Sequence, residues 1–143
     1  MRRTPDDETL LALARTVMGL STAAADRLGG VSVVQLRALT VLRDLGTATL
    51  GELADGMGVT VSTTSRLVDR LVTAGLVRRE ASRRSRRELA LQIAPDGDAV
   101  LDRYDEDRLD GLRAALGRLP DDDRTTALAA FAAFSGADVA MAR

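Results

Sequence analysis

The sequence predicts a mainly α chain whose helices are interrupted once, past the middle, by a short β-hairpin. Three observations carry that expectation. Apolar residues recur at three- and four-residue spacing in six separate runs, opened by capping residues or proline and mostly closed by glycine. One short segment, Leu89 to Ile93, instead alternates apolar with polar or small residues, as a half-buried strand does. The aromatics are only Tyr104, Phe131 and Phe134, so the core must be Leu, Val and Ala, a composition that favours helices over a sheet sandwich.

Taken in order, Thr4-Pro5-Asp6-Asp7 opens the first helix. Thr4 is a good N-cap, Pro5 suits the first helical position, and the two acids sit at the positive end of the helix dipole. Leu10, Leu13, Ala14, Val17, Met18 and Leu28 follow at helical spacing until Gly29-Gly30. Leu11 and Leu20 widen this stripe beyond what a small monomer can cover, so a partner helix is expected. Ser32-Val33-Val34-Gln35 is a capping box for a second helix, with Leu36, Leu39, Val41, Leu42 and Leu45 as its apolar positions and Gly46 as its stop. Thr47-Ala48 leaves room only for a turn or a stub of strand.

A second capping box, Thr49-Leu50-Gly51-Glu52, opens a short third helix carrying Leu53, Ala54 and Met57 before Gly58 breaks it. Thr60 then caps a fourth helix whose buried stripe is Thr64, Leu67, Val68 and Leu71, ended by Gly75. Two helices joined by a tight glycine-containing turn, the second with small polar residues early, form the helix-turn-helix pattern. Leu76–Glu80 and Arg87–Ile93 flank a hairpin with four arginines at or beside its tip. Hairpin tips are normally rich in Gly, Asn or Asp. Serine and arginine do little for turn geometry and are expected there for a polyanion. Pro95 opens a long helix to about Gly117, with Leu101, Leu109, Leu112 and Leu116 on one face and Val100, Tyr104 and Ala115 beside it. Pro120-Asp121-Asp122-Asp123 starts the last helix, which carries Leu128, Phe131, Ala132 and Phe134.

The fold class is therefore mainly α, a winged helix-turn-helix with a small β-hairpin wing. N- and C-terminal helices, too apolar for the central module to cover, flank it as dimerisation elements. The expected division is 1–30 for the first dimerisation helix, 31–94 for the winged module and 95–143 for the last two helices.

Composition excludes several function classes. The 143 residues suffice for one domain or one subunit of an oligomer. Without cysteine there is no disulfide, thiol sensor or cysteine nucleophile. Without histidine, serine-hydrolase triads, zinc hydrolases and histidine-ligated haem are also disfavoured. All 20 basic residues are arginine, each a planar fork suited to phosphates and base edges. The net charge of -1 hides a segregation: residues 60–93 hold eight Arg against Asp69, Glu80 and Glu88, whereas residues 94–143 hold six Arg against eleven acids. Such a layout steers polyanions to one face. No apolar run reaches membrane-spanning length, and the start MRRTPDDE lacks a secretory apolar region, so a cytoplasmic protein without a membrane partner is expected. The acid runs Asp105-Glu106-Asp107 and Asp121-Asp122-Asp123 are read as helix-surface charge, not as a metal site. No phosphate-binding glycine loop is present, so neither enzyme activity nor a cofactor is expected.

The order of elements resembles the multiple-antibiotic-resistance regulator (MarR) family of bacterial transcription factors. Leu50-Gly51-Glu52-Leu53-Ala54, Val68-Asp69-Arg70-Leu71 and Gly75-Leu76-Val77 are close to the family's wording. The family's wing signature, Asp-x-Arg and then Leu-Thr five residues on, falls here on Ser85, Arg86 and Arg87 and then Ile93-Ala94, with Pro95 and Gly97 also matching. The resemblance covers essentially the whole chain and is best from Val31 to Gly97. Two departures stand out. Ser85 replaces the Asp that braces the wing arginine in the family, and Ala94 replaces a helix-capping Thr, a loss of roughly 1 kcal/mol at that end.

The resemblance implies a homodimeric repressor that binds an inverted-repeat site on double-stranded DNA. Its fourth helix would enter the major groove, offering Val61, Ser62, Thr63, Ser65 and Arg66 to base edges, with Arg70 on the phosphates. The wing arginines Arg83, Arg84, Arg86 and Arg87 would enter or track the minor groove, Arg87 foremost. A small aromatic or phenolic effector is implied in a cleft for which Arg15, Leu36, Tyr104 and Arg108 are the candidates. The rival reading is a winged-helix protein-interaction module without a DNA-binding role. It would need neither base-facing polar residues nor a basic wing tip.

Overall fold

The computed structural model describes residues 2–85 and 87–136, and places six helices and a three-stranded sheet among them. The helices are α1 (Pro5–Leu28), α2 (Val33–Leu45), α3 (Leu50–Met57), α4 (Val61–Thr73), α5 (Pro95–Leu116) and α6 (Asp121–Gly136). The strands are β1 (Thr47–Ala48), β2 (Val77–Ala81) and β3 (Leu89–Ile93). Together they form the mainly helical, winged-helix architecture expected from the sequence.

Local chemistry sets each boundary. Ser32 and Gln35, and then Thr49 and Glu52, form reciprocal capping boxes at α2 and α3. Thr4 and Asp7 do the same at α1, with Pro5 in the first turn. Gly58 adopts left-handed backbone at φ 68°, ψ 31°, and Val59 N–H reaches back to Ala54 O, a Schellman-type close. Thr60 caps α4 at once, so the helix–turn–helix corner needs only three residues.

The strand order is β1-β3-β2, all antiparallel. The stub Thr47-Ala48 is a true strand, opposite Gln92 and Leu91 and closed by the Gln92 amide donating to the Thr47 hydroxyl at 2.9 Å. Leu91 lies on the buried face of β3, but Leu89 is exposed and Ile93 half-buried. The expected apolar face of that strand is therefore buried mainly at its middle.

The chain divides into two compact units, residues 1–108 and 109–143. The first is built around Leu36, Leu39 and Leu42 of α2, Leu53 and Met57 of α3, Leu67, Val68 and Leu71 of α4, Leu91 of β3, and Leu101 and Tyr104 of α5. Fully burying each such side chain contributes roughly 1.5–3 kcal/mol. Gly97 brings α5 against β2: a Cβ there would lie 2.2 Å from the Leu76 carbonyl oxygen, which also accepts the Ala94 N–H at 2.9 Å. Leu10, Leu13, Val17 and Met18 of α1 remain exposed. In the second unit Leu109, Leu112, Leu119, Leu128, Phe131 and Phe134 are exposed, and α6 buries nothing among its described residues. No helix among the described residues is long and apolar enough to cross a membrane.

Candidate nucleic-acid interface

The buried stripe of α4 determines what its other faces present. With Thr64, Leu67, Val68 and Leu71 turned inward, a rotation of about 100° per residue puts Ser62, Arg66, Asp69 and Thr73 on the opposite, exposed line. Val61 and half-buried Ser65 stand to one side of that line, Thr63 and Arg70 to the other. Ser65 joins Arg87 in a hollow of about 530 Å³ between α4 and the wing. Arg70 lines a second hollow with Gly30 and Gln35 at the start of α2.

Thr60, which sequence reasoning treated only as a cap, organises the start of this helix. Its hydroxyl accepts the Thr63 N–H at 3.2 Å, donates to the Thr63 hydroxyl at 2.9 Å and lies 3.2 Å from that of Ser62. Buried Thr64 returns its own hydroxyl to the Thr60 carbonyl at 2.9 Å. The exposed hydroxyls of Ser62 and Thr63 are thus held in fixed places rather than left as free rotors.

The wing corrects one expectation. Its serines do serve turn geometry: the Ser82 hydroxyl accepts the Arg84 N–H at 3.1 Å, and the Ser85 hydroxyl accepts that of Arg87 at 3.2 Å. Hydroxyls here do the work that Asn or Asp side chains usually do in turns. Ser82 N–H bonds the Glu88 carbonyl and Glu88 N–H that of Ser85, so the tip is closed by its own backbone. Arg83, Arg84 and Arg87 are left exposed, and Arg86 lies outside the described residues. Arg83 and Arg84 line a hollow of about 480 Å³ with Thr47, Glu52, Glu80 and Gln92, on the other side of the wing from Arg87.

Ion pairs take up several arginines of the other elements. Arg27 pairs with Asp107, Arg43 with Asp102 and Asp105, Arg108 with Asp105, and Arg124 with Asp121. Asp105 and Asp107 of the first acid run are thereby tied to α2 and α1, and Asp121 of the second to Arg124 on its own helix. Among the described residues, Arg66, Arg70, Arg78, Arg83, Arg84 and Arg87 carry no such partner. The exception in this region is Arg79, which binds Asp69 of α4 from β2. No local sequence signal announces that pair, because the residues lie ten positions apart on different elements.

The four cleft candidates divide. Leu36 is fully buried in the core that also holds Tyr104. Half-buried Arg108 stacks its guanidinium 4.1 Å above the Tyr104 ring and bonds Asp105, while its Nε is buried without a hydrogen-bond partner among the described residues. Arg15 is exposed on α1, with no hydrogen bond or ion pair to the other three among the described residues. Arg43 reaches Asp102 at 2.9 Å and Asp105 at 2.7 Å. Its partial burial works against the charge, but those two carboxylates outweigh it and hold the guanidinium above its ordinary pKa.

Residues 31–89 match the MarR family. Among curated proteins, an uncharacterized HTH-type transcriptional regulator of Bacillus subtilis, YfiV, is 31% identical over 70 residues, which span 49% of this chain and 44% of that protein. Among solved structures, RV1404 from Mycobacterium tuberculosis superposes with a TM-score of 0.83 at 28% identity, over 97% of each chain. Wild-type MarR from E. coli in its apo form gives 0.79 at 18% identity, over 94% of this chain and 98% of that one, a likeness of fold.

Proposed function

We propose that this chain, which belongs to the MarR family through its residues 31–89, is a transcriptional regulator that binds double-stranded DNA as a homodimer. The observation that carries the reading is the exposed row of α4 beside a wing tip whose described arginines, Arg83, Arg84 and Arg87, make no ion pair. Ser62, Arg66 and Val61 would meet base edges in the major groove, since Arg suits guanine and an apolar side chain suits the thymine methyl. Arg70, beside the start of α2, would hold phosphate and position the helix. Arg87, with Arg83, Arg84 and Arg86, would enter the adjacent minor groove, where a narrow A·T-rich groove concentrates negative potential.

The exposed apolar rows of α1 and of the second unit support dimerisation, since a second copy would cover them. A C2 pair presents two helices and two wings, so the operator is an inverted repeat with half-sites roughly 34–36 Å apart. Regions 1–30 and 95–143 supply the dimer base and 31–94 the DNA contact. Repression by occupancy is the simplest outcome of such binding, in the cytoplasm where the DNA lies. The stacked Tyr104–Arg108 pair, with its unpartnered Nε, supports a seat for a small aromatic or phenolic effector. Such a ligand would act by binding two dimer conformations unequally.

The test is a gel-shift titration of the chain's own upstream DNA at fixed salt, with Arg87→Ala beside the wild type. Severe loss of affinity in a variant that keeps the wild-type mass in light scattering supports the reading. Unchanged affinity removes Arg87 from the interface.

A further inference from the structure

We infer that Arg79 serves DNA binding through Asp69 and not by touching the duplex, a positioning role that rests on the DNA-binding reading above. Asp69 is the single acid of α4, and it stands on the exposed line between Arg66 and Thr73. A bare carboxylate there would face phosphates and repel them. Arg66, three residues earlier, is within local pairing reach on the same helix. The structure nevertheless gives Asp69 to Arg79, on β2.

Arg79 is built for that task. It lies opposite buried Leu91 in the β2–β3 register and two residues from buried Val77, on the strand face that turns inward. Its side chain is 35% exposed, whereas the Asp69 carboxylate end of the pair is 60% exposed. It lines the hollow behind α4 with Ser65, Val68 and Arg87. From that recess the guanidinium cancels the one unfavourable charge of the reading helix and leaves Arg66 and Arg87 unspent. The same bond joins the wing's first strand to α4, so the two DNA-facing elements keep one spacing.

The experiment is fluorescence anisotropy of the full chain on a labelled mixed-sequence duplex, three helical turns long, across a salt series. Wild type, Arg79→Met, Asp69→Asn and the double variant form a cycle, each checked by circular dichroism. If Arg79→Met fails to fold, Arg79→Gln replaces it. Arg79→Met alone uncovers the carboxylate and is expected to weaken binding by about tenfold at low salt. Asp69→Asn alone stays within about threefold of wild type, and the double variant recovers to the same range, because the repelling charge is gone. Its salt slope equals that of wild type. If Arg79 instead holds a phosphate, the double variant stays as weak as Arg79→Met and its slope falls by about 0.9. Either that result, or full affinity in Arg79→Met, overturns the inference while wild type still binds. A wild type that ignores the duplex at every salt concentration overturns the DNA-binding reading itself, and the inference with it.

Discussion

Replacing Gly97 by Ala adds a single methyl group at a junction with no room for it. The new Cβ would lie 2.2 Å from the Leu76 carbonyl oxygen, 3.1 Å from its carbon and 2.8 Å from Ile93 Cγ1. Two of these three atoms are backbone, so no rotamer change relieves the clash. The start of α5 has to move off β2, which breaks the 2.9 Å bond from Ala94 N–H to that same oxygen. Overpacking of this kind costs about 1–3 kcal/mol. A buried hydrogen-bonding group left unpaired adds about 1–3 kcal/mol. A higher helix propensity returns about 1 kcal/mol of the sum. The net expectation is a loss of about 1–5 kcal/mol, read as a lower urea midpoint at unchanged m-value. Gly56→Ala is the matched control. There the contact is a side-chain methyl, Val41 Cγ1 at 2.7 Å, and not backbone; the stiff β-branched side chain must still shift, so a loss smaller than at Gly97 is expected. Equal midpoints for Gly97→Ala and wild type would refute the claim that α5 is locked to the wing strand at this point.

The Asp7 carboxyl accepts the Thr4 backbone N–H at 2.8 Å, and this bond, then the one from Thr4's side chain, holds it below the ordinary carboxylate range. The cap is therefore complete above that range and is lost as pH falls through the lowered value, which amide exchange in the first turn of α1 would show; an Asp7→Asn variant should show no such step. Glutamates in place of Leu10 and Met18, 61% and 60% exposed on α1, should split the proposed homodimer and bring the mass in light scattering to 15.2 kDa with the fold intact. An undiminished dimer would move the interface elsewhere. Removing Arg43 by Arg43→Met leaves Asp102 without its partner and Asp105 with Arg108 alone. Losing a half-buried double ion pair should lower the melting temperature, and high salt should shrink the gap between variant and wild type.

Much of the fold was legible because its signals are local. Ser32 with Gln35, Thr49 with Glu52, and Thr60 ahead of the Thr64-Leu67-Val68-Leu71 stripe each declare a helix within a few residues. The reciprocal box of Thr4 and Asp7 was harder to see, because its third helical residue is Asp and not the usual Glu or Gln. Leu89 fits the alternating pattern of a buried strand, yet it pairs opposite Ala81 at the outer end of the hairpin, beyond the core. Periodicity reports which face a residue shares, not how far the core extends along it. Which side chains of α4 would be exposed could be picked from helical phase. What held them could not: Thr60's hydroxyl network depends on backbone geometry, and Asp69 meets Arg79 only once β2 has folded back along α4. The Arg43 contacts with Asp102 and Asp105 join residues about sixty positions apart, where sequence spacing carries no information.

Hydroxyl-radical footprinting of the chain on the DNA upstream of its own gene tests the paired helix-and-wing geometry most directly. Two protected patches related by a dyad are required, centred about one helical turn apart, with added minor-groove protection beside each patch where the proposed wing contacts would fall. One patch without a dyad, or no protection at low salt, would contradict it.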